Sequence, residues 1–227
     1  MNNPAKTTAR LLGAGLRALL ALTVLCGVLY PLAVTGVAQA LFPDKANGSE
    51  VTHDGRVVGS ALIGQRYDLP PKDGEESPGP DLRLFQPRPS EGLGTNSVNT
   101  RYTLLLSGAT NLSGDSRVLT SRVAGTKAAV VRDNSVPGHP VDPADVPADA
   151  VTSSASGLDP HISPEYARLQ ARRVAERNGL PYERVARLVR EHTEGRVLGF
   201  MGEPRVNVLA LNTALRELAD GGSAPRR

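Results

Sequence analysis

Tryptophan is absent from this sequence, and phenylalanine and tyrosine occur only three and five times in 227 residues. The core must therefore be filled mainly by Leu, Val and Ala. The single cysteine, Cys26, rules out an intramolecular disulfide and any cysteine-rich zinc site. The four histidines (His53, His139, His161 and His192) are scattered, without the short spacings that bring metal ligands together. There is no G-x-x-x-x-G-K-[ST] phosphate loop, no H-E-x-x-H helix and no G-x-S-x-G elbow. These absences remove the commoner nucleotide hydrolases, zinc proteases and serine hydrolases.

Charge is present but nearly balanced. The net charge is +3. It arises wholly from Lys6, Arg10 and Arg17, because the first 42 residues contain no Asp or Glu. Beyond them, basic and acidic residues match one for one. No basic stripe interleaved with aromatics appears, so nucleic acid is excluded as a partner.

Between Ala18 and Phe42 runs the longest uncharged stretch, ALLALTVLCGVLYPLAVTGVAQALF. As a helix it reaches about 37 Å, enough to cross a hydrocarbon core of about 30 Å. Pro31 is expected to kink it. The basic residues precede the span, which places the N-terminus in the cytoplasm and the remainder outside. A cleaved signal peptide is the rival reading, with Ala38-Gln39-Ala40 as its cleavage site. The apolar run exceeds the usual 7–15-residue signal core, which favours the anchor. The domain reading is thus a basic N-terminus over 1–17, a membrane helix over 18–42 and a soluble extracytoplasmic domain over 43–227.

Within that domain, Pro43–Glu50 reads as a polar linker and Ser60–Gln65 as a strand or turn. The segment 70–80 (PPKDGEESPGP) reads as an acidic inserted loop. Arg101–Leu106 and Val118–Val131 give no clear pattern. Val136–Ala148 carries four prolines and is expected to be extended or irregular.

The last third is better punctuated. Ser163-Pro164-Glu165 predicts a helix start, and Asn178-Gly179 its end. Ala167, Ala171, Val174 and Ala175 give that helix a small-residue face. A second helix is expected from Pro181, with Val185, Leu188, Val189 and His192 on one side. A third is expected from Asn207 as cap, with Val208, Leu211, Leu215 and Leu218. Three amphipathic helices with strands upstream predict a compact α+β domain with C-terminal helices after a single membrane helix.

Two polar stretches are candidates for function. Val151–Pro164 (VTSSASGLDPHISP) holds Ser153, Ser154, Ser156, Gly157 and Asp159, whose hydroxyls and amides suit an anion or a partner surface. Asp159 and His161 also make a possible acid/base pair. The plainer reading, a turn-rich connector ending in a helix cap, is favoured. Glu203, Arg205 and Asn207 form either a recognition loop at a subunit interface or an ordered link into the last helix.

Several longer stretches closely resemble the C subunit of the Kdp-type potassium-transporting ATPase. They are Val151–Pro164, Arg173-Val174-Ala175, His192–Arg196 (HTEGR) and Leu198–Asn212 (LGFMGEPRVNVLALN). Upstream, Asn47-Gly48-Ser49, Gly59–Gln65 (GSALIGQ), Phe85–Ser90 (FQPRPS), Ser107–Leu112 (SGATNL) and Tyr30-Pro31 fit in order. The resemblance covers nearly the whole chain and favours a retained anchor. It implies an accessory, non-catalytic subunit of a high-affinity ATP-driven potassium uptake complex in the cell membrane. Its partners would be a channel-like potassium-binding subunit, a P-type ATPase subunit and membrane lipid. Consistent with that division of labour, the chain has no Asp-Lys-Thr-Gly phosphorylation motif and no T-V-G-Y-G filter.

The family is described as raising the ATP affinity of the catalytic subunit, and the Val151–Gly157 stretch is the candidate contact. The charge asymmetry, however, puts the domain outside, away from ATP. No cofactor is therefore expected to bind stably, and ATP would act only through the catalytic subunit. The alternative to a transporter subunit is a membrane-anchored or secreted hydrolase or binding module.

Overall fold

A computed structural model describes residues 4–70, 79–90, 93–95, 103–105 and 107–222. It divides into two compact units, Met1–Glu50 and Val51–Arg227.

The first unit is helical. Helix α1 spans Pro4–Val24, a π-turn covers Leu25–Leu29, and α2 spans Tyr30–Leu41. The helix begins well ahead of the uncharged run, since nothing between Lys6 and Arg17 breaks it. The Arg17 guanidinium folds back to donate to the Gly13 carbonyl at 3.1 Å. Continuous from Lys6 to Leu41, it is long and apolar enough to cross a membrane.

Pro31 does not end this helix. A proline has no N–H for the usual fourth-residue bond and crowds the carbonyl four residues back. Here the preceding turn widens, and the Tyr30 N–H reaches Leu25 O, five residues back. The expected polar linker is partly ordered. Pro43 opens a one-turn helix, α3 (Pro43–Ala46), and Gln39 and Asn47 exchange amide hydrogen bonds at 3.0 and 3.2 Å.

In the folded unit, β1 (Glu50–His53) and β2 (Arg56–Ser60) form a two-stranded sheet around Asp54-Gly55. Both turn residues have positive φ, 49° and 71°, as tight hairpins prefer. Ser60–Gln65, read as strand or turn, is mostly turn: Ser60 Oγ and O accept from the amides of Leu62 and Ile63. Strands β3 (Leu93–Thr95) and β4 (Thr103–Leu105) pair antiparallel.

The stretch around Val118–Val131, which gave no clear pattern, is an 18-residue helix, α4 (Arg117–Asn134), capped by Ser116. Val136–Ala148 is irregular, with a 3₁₀ turn at Pro143–Asp145 and another just beyond it at Ala148–Ala150. Of the segment 70–80, residues 71–78 lie outside the described residues. Its two ends are pinned together: Leu69 N–H donates to Gly79 O, and Asp81 N–H to Tyr67 O.

The C-terminal third follows its sequence signals closely. Helix α5 is Pro164–Arg177, α6 is Tyr182–Glu191 and α7 is Val208–Gly222. Ser163 Oγ accepts the Tyr166 N–H at 3.0 Å, and Gly179 takes φ 63° just past the α5 end. A three-stranded antiparallel sheet links these helices, in the order β5 (His161–Ile162), β7 (Arg205–Asn207), β6 (Thr193–Glu194). The core is made of Phe85, Val174, Val185, Val206, Leu211 and Leu215, all fully buried.

Polar side chains complete that core. The irregular strap Asp81–Ser90 crosses α5 and α7 without a strand partner, so its backbone groups need other acceptors and donors. Asn212 supplies both for Phe85, accepting its N–H and donating to its carbonyl at 2.9 Å each. Gln170 does the same for Gln86, at 2.7 and 3.0 Å. Arg173, 1% exposed, donates from Nε to Asn134, from one terminal nitrogen to the carbonyls of Leu82 and Leu84, and from the other to Gln170. Burial lowers its pKa to about 10, which leaves it charged at neutral pH.

Candidate functional site

The strap delivers Arg88 to a cavity of about 600 Å³ at the edge of the three-stranded sheet. Asp159 and His161 enter from the start of β5, while Glu203 and Arg205 enter from the approach to β7 and its first residue. Asp159 organises this cluster. Its carboxylate accepts from Arg88 at 3.1 Å and from the His161 N–H at 3.0 Å, and its Oδ1 lies 3.3 Å from His161 Nδ1. The His161 side chain, then its N–H and Arg88, hold the Asp159 pKa down to about 2 against the opposing effect of burial.

The sequence candidates fall in three places. Ser154, Ser156 and Gly157 come together in a self-contained turn. The Ser154 and Ser156 hydroxyls sit 3.0 Å apart, Ser154 Oγ accepts the Gly157 N–H, and Ser156 Oγ accepts the Leu158 N–H. The strap stitches this turn down. Ser154 N–H donates to Pro89 O, and the Ser90 hydroxyl donates to Gly157 O. Ser153 faces a different cavity, with Ser90, Thr110 and Arg122. Asp159 alone of the five shares a cavity with Glu203 and Arg205.

On the second candidate loop, Glu203 pairs with Arg196 at 2.8 Å and Arg205 with Glu194 at 2.9 Å. Asn207 is turned inward. Its Nδ2 donates to Ala61 O, and its Oδ1 accepts the Ala210 N–H as the cap of α7. Close approach also fixes the neighbouring turn: a Cβ on Gly64 would lie 2.6 Å from Asp159 O, and Gly64 N–H donates to Leu158 O.

The cluster has a charged pair and an imidazole, but the one serine lining its cavity is committed. Ser163 Oγ donates to Asp149 Oδ1 at 2.9 Å while it caps α5. A Ser-His-Asp hydrolase is therefore not assembled here. Among the described residues, no group of three or more His, Cys, Asp or Glu is placed to hold a metal ion.

The sequence reading missed Arg88, Gln170, Arg173 and Asn212 as organising residues. One signal was available for two of them: Gln170 and Arg173 are polar, yet they sit beside Ala171 and Val174 on the buried side of α5.

A family model described as K+-transporting ATPase, c chain (KdpC), matches residues 12–217. A Streptomyces coelicolor protein called potassium-transporting ATPase KdpC subunit is 68% identical over 223 residues, covering 98% of this chain and 99% of that one. A Streptomyces avermitilis protein of the same description is 68% identical over 218 residues, covering 96% and 98%. One from Bradyrhizobium diazoefficiens is 44% identical over 201 residues, covering 88% and 94%.

Proposed function

The chain belongs to the KdpC family, the c chains of K+-transporting ATPases, and on that premise we propose that it is a non-catalytic, single-pass subunit whose folded unit stands outside the cytoplasm. It is an accessory subunit of the potassium uptake complex. The observation that carries this reading is the extent of the match. One family model runs from residue 12 to residue 217, through both the apolar helix and the folded unit.

The orientation rests on charge. Lys6, Arg10 and Arg17 precede the apolar run, and no acid accompanies them. The partners are the channel-like and P-type ATPase subunits of the same complex, with lipid around the span. Contact is assigned to the face carrying Asp159, Glu203 and Arg205, flanked by the turn Ser153, Ser154, Ser156 and Gly157, with Asn207 holding that face to α7. From outside the membrane the folded unit cannot touch cytoplasmic ATP. Any effect on ATP affinity is therefore transmitted through coupled states of the complex, not through a bound nucleotide.

Protease added to cells whose cytoplasmic membrane is intact tests the orientation. The folded unit should be cut there and protected in inside-out vesicles. The reverse pattern would refute it.

A further inference from the structure

The hairpin between β6 and β7 exposes an apolar tip that the described residues leave uncovered. Leu198 is 79% exposed and Phe200 70%, with Val197 and Met201 about half exposed beside them. The tip has a defined shape. Val197 and Met201 exchange backbone hydrogen bonds at 2.9 Å, and Gly199 N–H donates to Arg196 O. Leu198 is held at φ 54°, a left-handed conformation that a Cβ disfavours, next to Gly199 at 82°. A strained backbone that pushes a leucine into solvent gains nothing for the isolated domain, and such strain gathers at binding sites.

The stem indicates what kind of surface the tip meets. Its four charges neutralise one another in two pairs, Arg196 with Glu203 and Glu194 with Arg205. No basic residue is left over for anionic headgroups, and the tip has no Trp or Tyr for a membrane interface. An apolar, electroneutral plug of this kind fits a protein recess. It is small beside the roughly 800 Å² per partner of a stable interface. A partner anchored in the same membrane removes that difficulty, because tethering raises effective concentration to about the millimolar range.

Building on the subunit reading above, we propose that the hairpin Gly195–Pro204 plugs into an apolar recess on another membrane-embedded subunit of the potassium-transporting ATPase, with Leu198 and Phe200 as its anchors.

The test uses the full chain in potassium-starved cells, with a photoreactive benzoyl-phenylalanine in place of Phe200. Illumination should yield an adduct with another subunit of the potassium-transporting ATPase, while the same probe at exposed Arg187 yields none. Leu198→Gly should cut the adduct by about tenfold or more, as loss of an anchor residue does. It should leave the Tm of the purified chain unchanged, because glycine accepts the left-handed conformation.

No adduct, or adducts with lipid alone, from a chain that still co-purifies with the other subunits would overturn this inference and spare the subunit reading. A lower Tm for Leu198→Gly would also overturn it, by showing that the tip serves the fold. A chain that co-purifies with no such subunit would sink the subunit reading and the inference together.

Discussion

The strap Asp81–Ser90 and the hairpin Gly195–Pro204 are both irregular, yet their chemistry is opposite. The strap turns polar backbone inward and satisfies it with Arg173, Gln170 and Asn212. The hairpin turns apolar side chains outward and leaves them uncovered. In the strap, buried polar groups are matched within the chain, so it serves the fold. In the hairpin, apolar groups have no counterpart among the described residues, as the proposed docking on a partner requires. Irregular structure alone does not mark a functional loop; which groups are left unmatched does.

Substitutions should separate the two regions. The largest effect is expected at Arg173. Arg173→Met keeps the volume but strands Asn134 and the carbonyls of Leu82 and Leu84, and each buried unsatisfied group costs about 1–3 kcal/mol. Urea unfolding of the full chain in detergent should show a loss of about 3 kcal/mol or more. A loss within 0.5 kcal/mol, about the scale of ordinary surface changes, would break the contrast.

Gly64→Ala comes next. Its Cβ would press on Asp159 O, which is backbone and cannot swing aside, at a cost of about 1–3 kcal/mol. Partner binding should fall only as far as the fold does.

The smallest effect is the acid response of Asp159. Its pKa is depressed to about 2, against about 3.9 in an unfolded chain. The folded state therefore binds the proton less readily. The stabilisation is fully present above about pH 4 and is lost as pH falls towards 2. Because the carboxylate is partly exposed, screening limits it to about 1 kcal/mol. Asp159→Asn should flatten that part of the pH–stability curve, and an unchanged slope would remove Asp159 from the account.

The comparison also explains what could be read from the sequence. Helices α5, α6 and α7 announce themselves through Ser163-Pro164, Asn178-Gly179, Pro181 and Asn207, because caps act on adjacent residues. Helix α4 does not. Only Val130 and Asn134 are buried along its 18 residues, so no apolar stripe marks it. Asp159 and His161 were legible as a pair because they are two residues apart. Arg88, which completes the cluster, is 71 residues away from Asp159. Contacts at that range leave no local pattern. Pro31 was legible as a disturbance in the anchor, but the π-turn that absorbs it depends on how the preceding carbonyls rearrange.

The most direct test of the central claim is to recover the tagged full-length chain from detergent-solubilised membranes of potassium-starved cells and identify its companions by mass spectrometry. A multi-span channel-like protein and a P-type ATPase should be recovered in stable association with it. A chain that comes off the membrane alone would contradict the account.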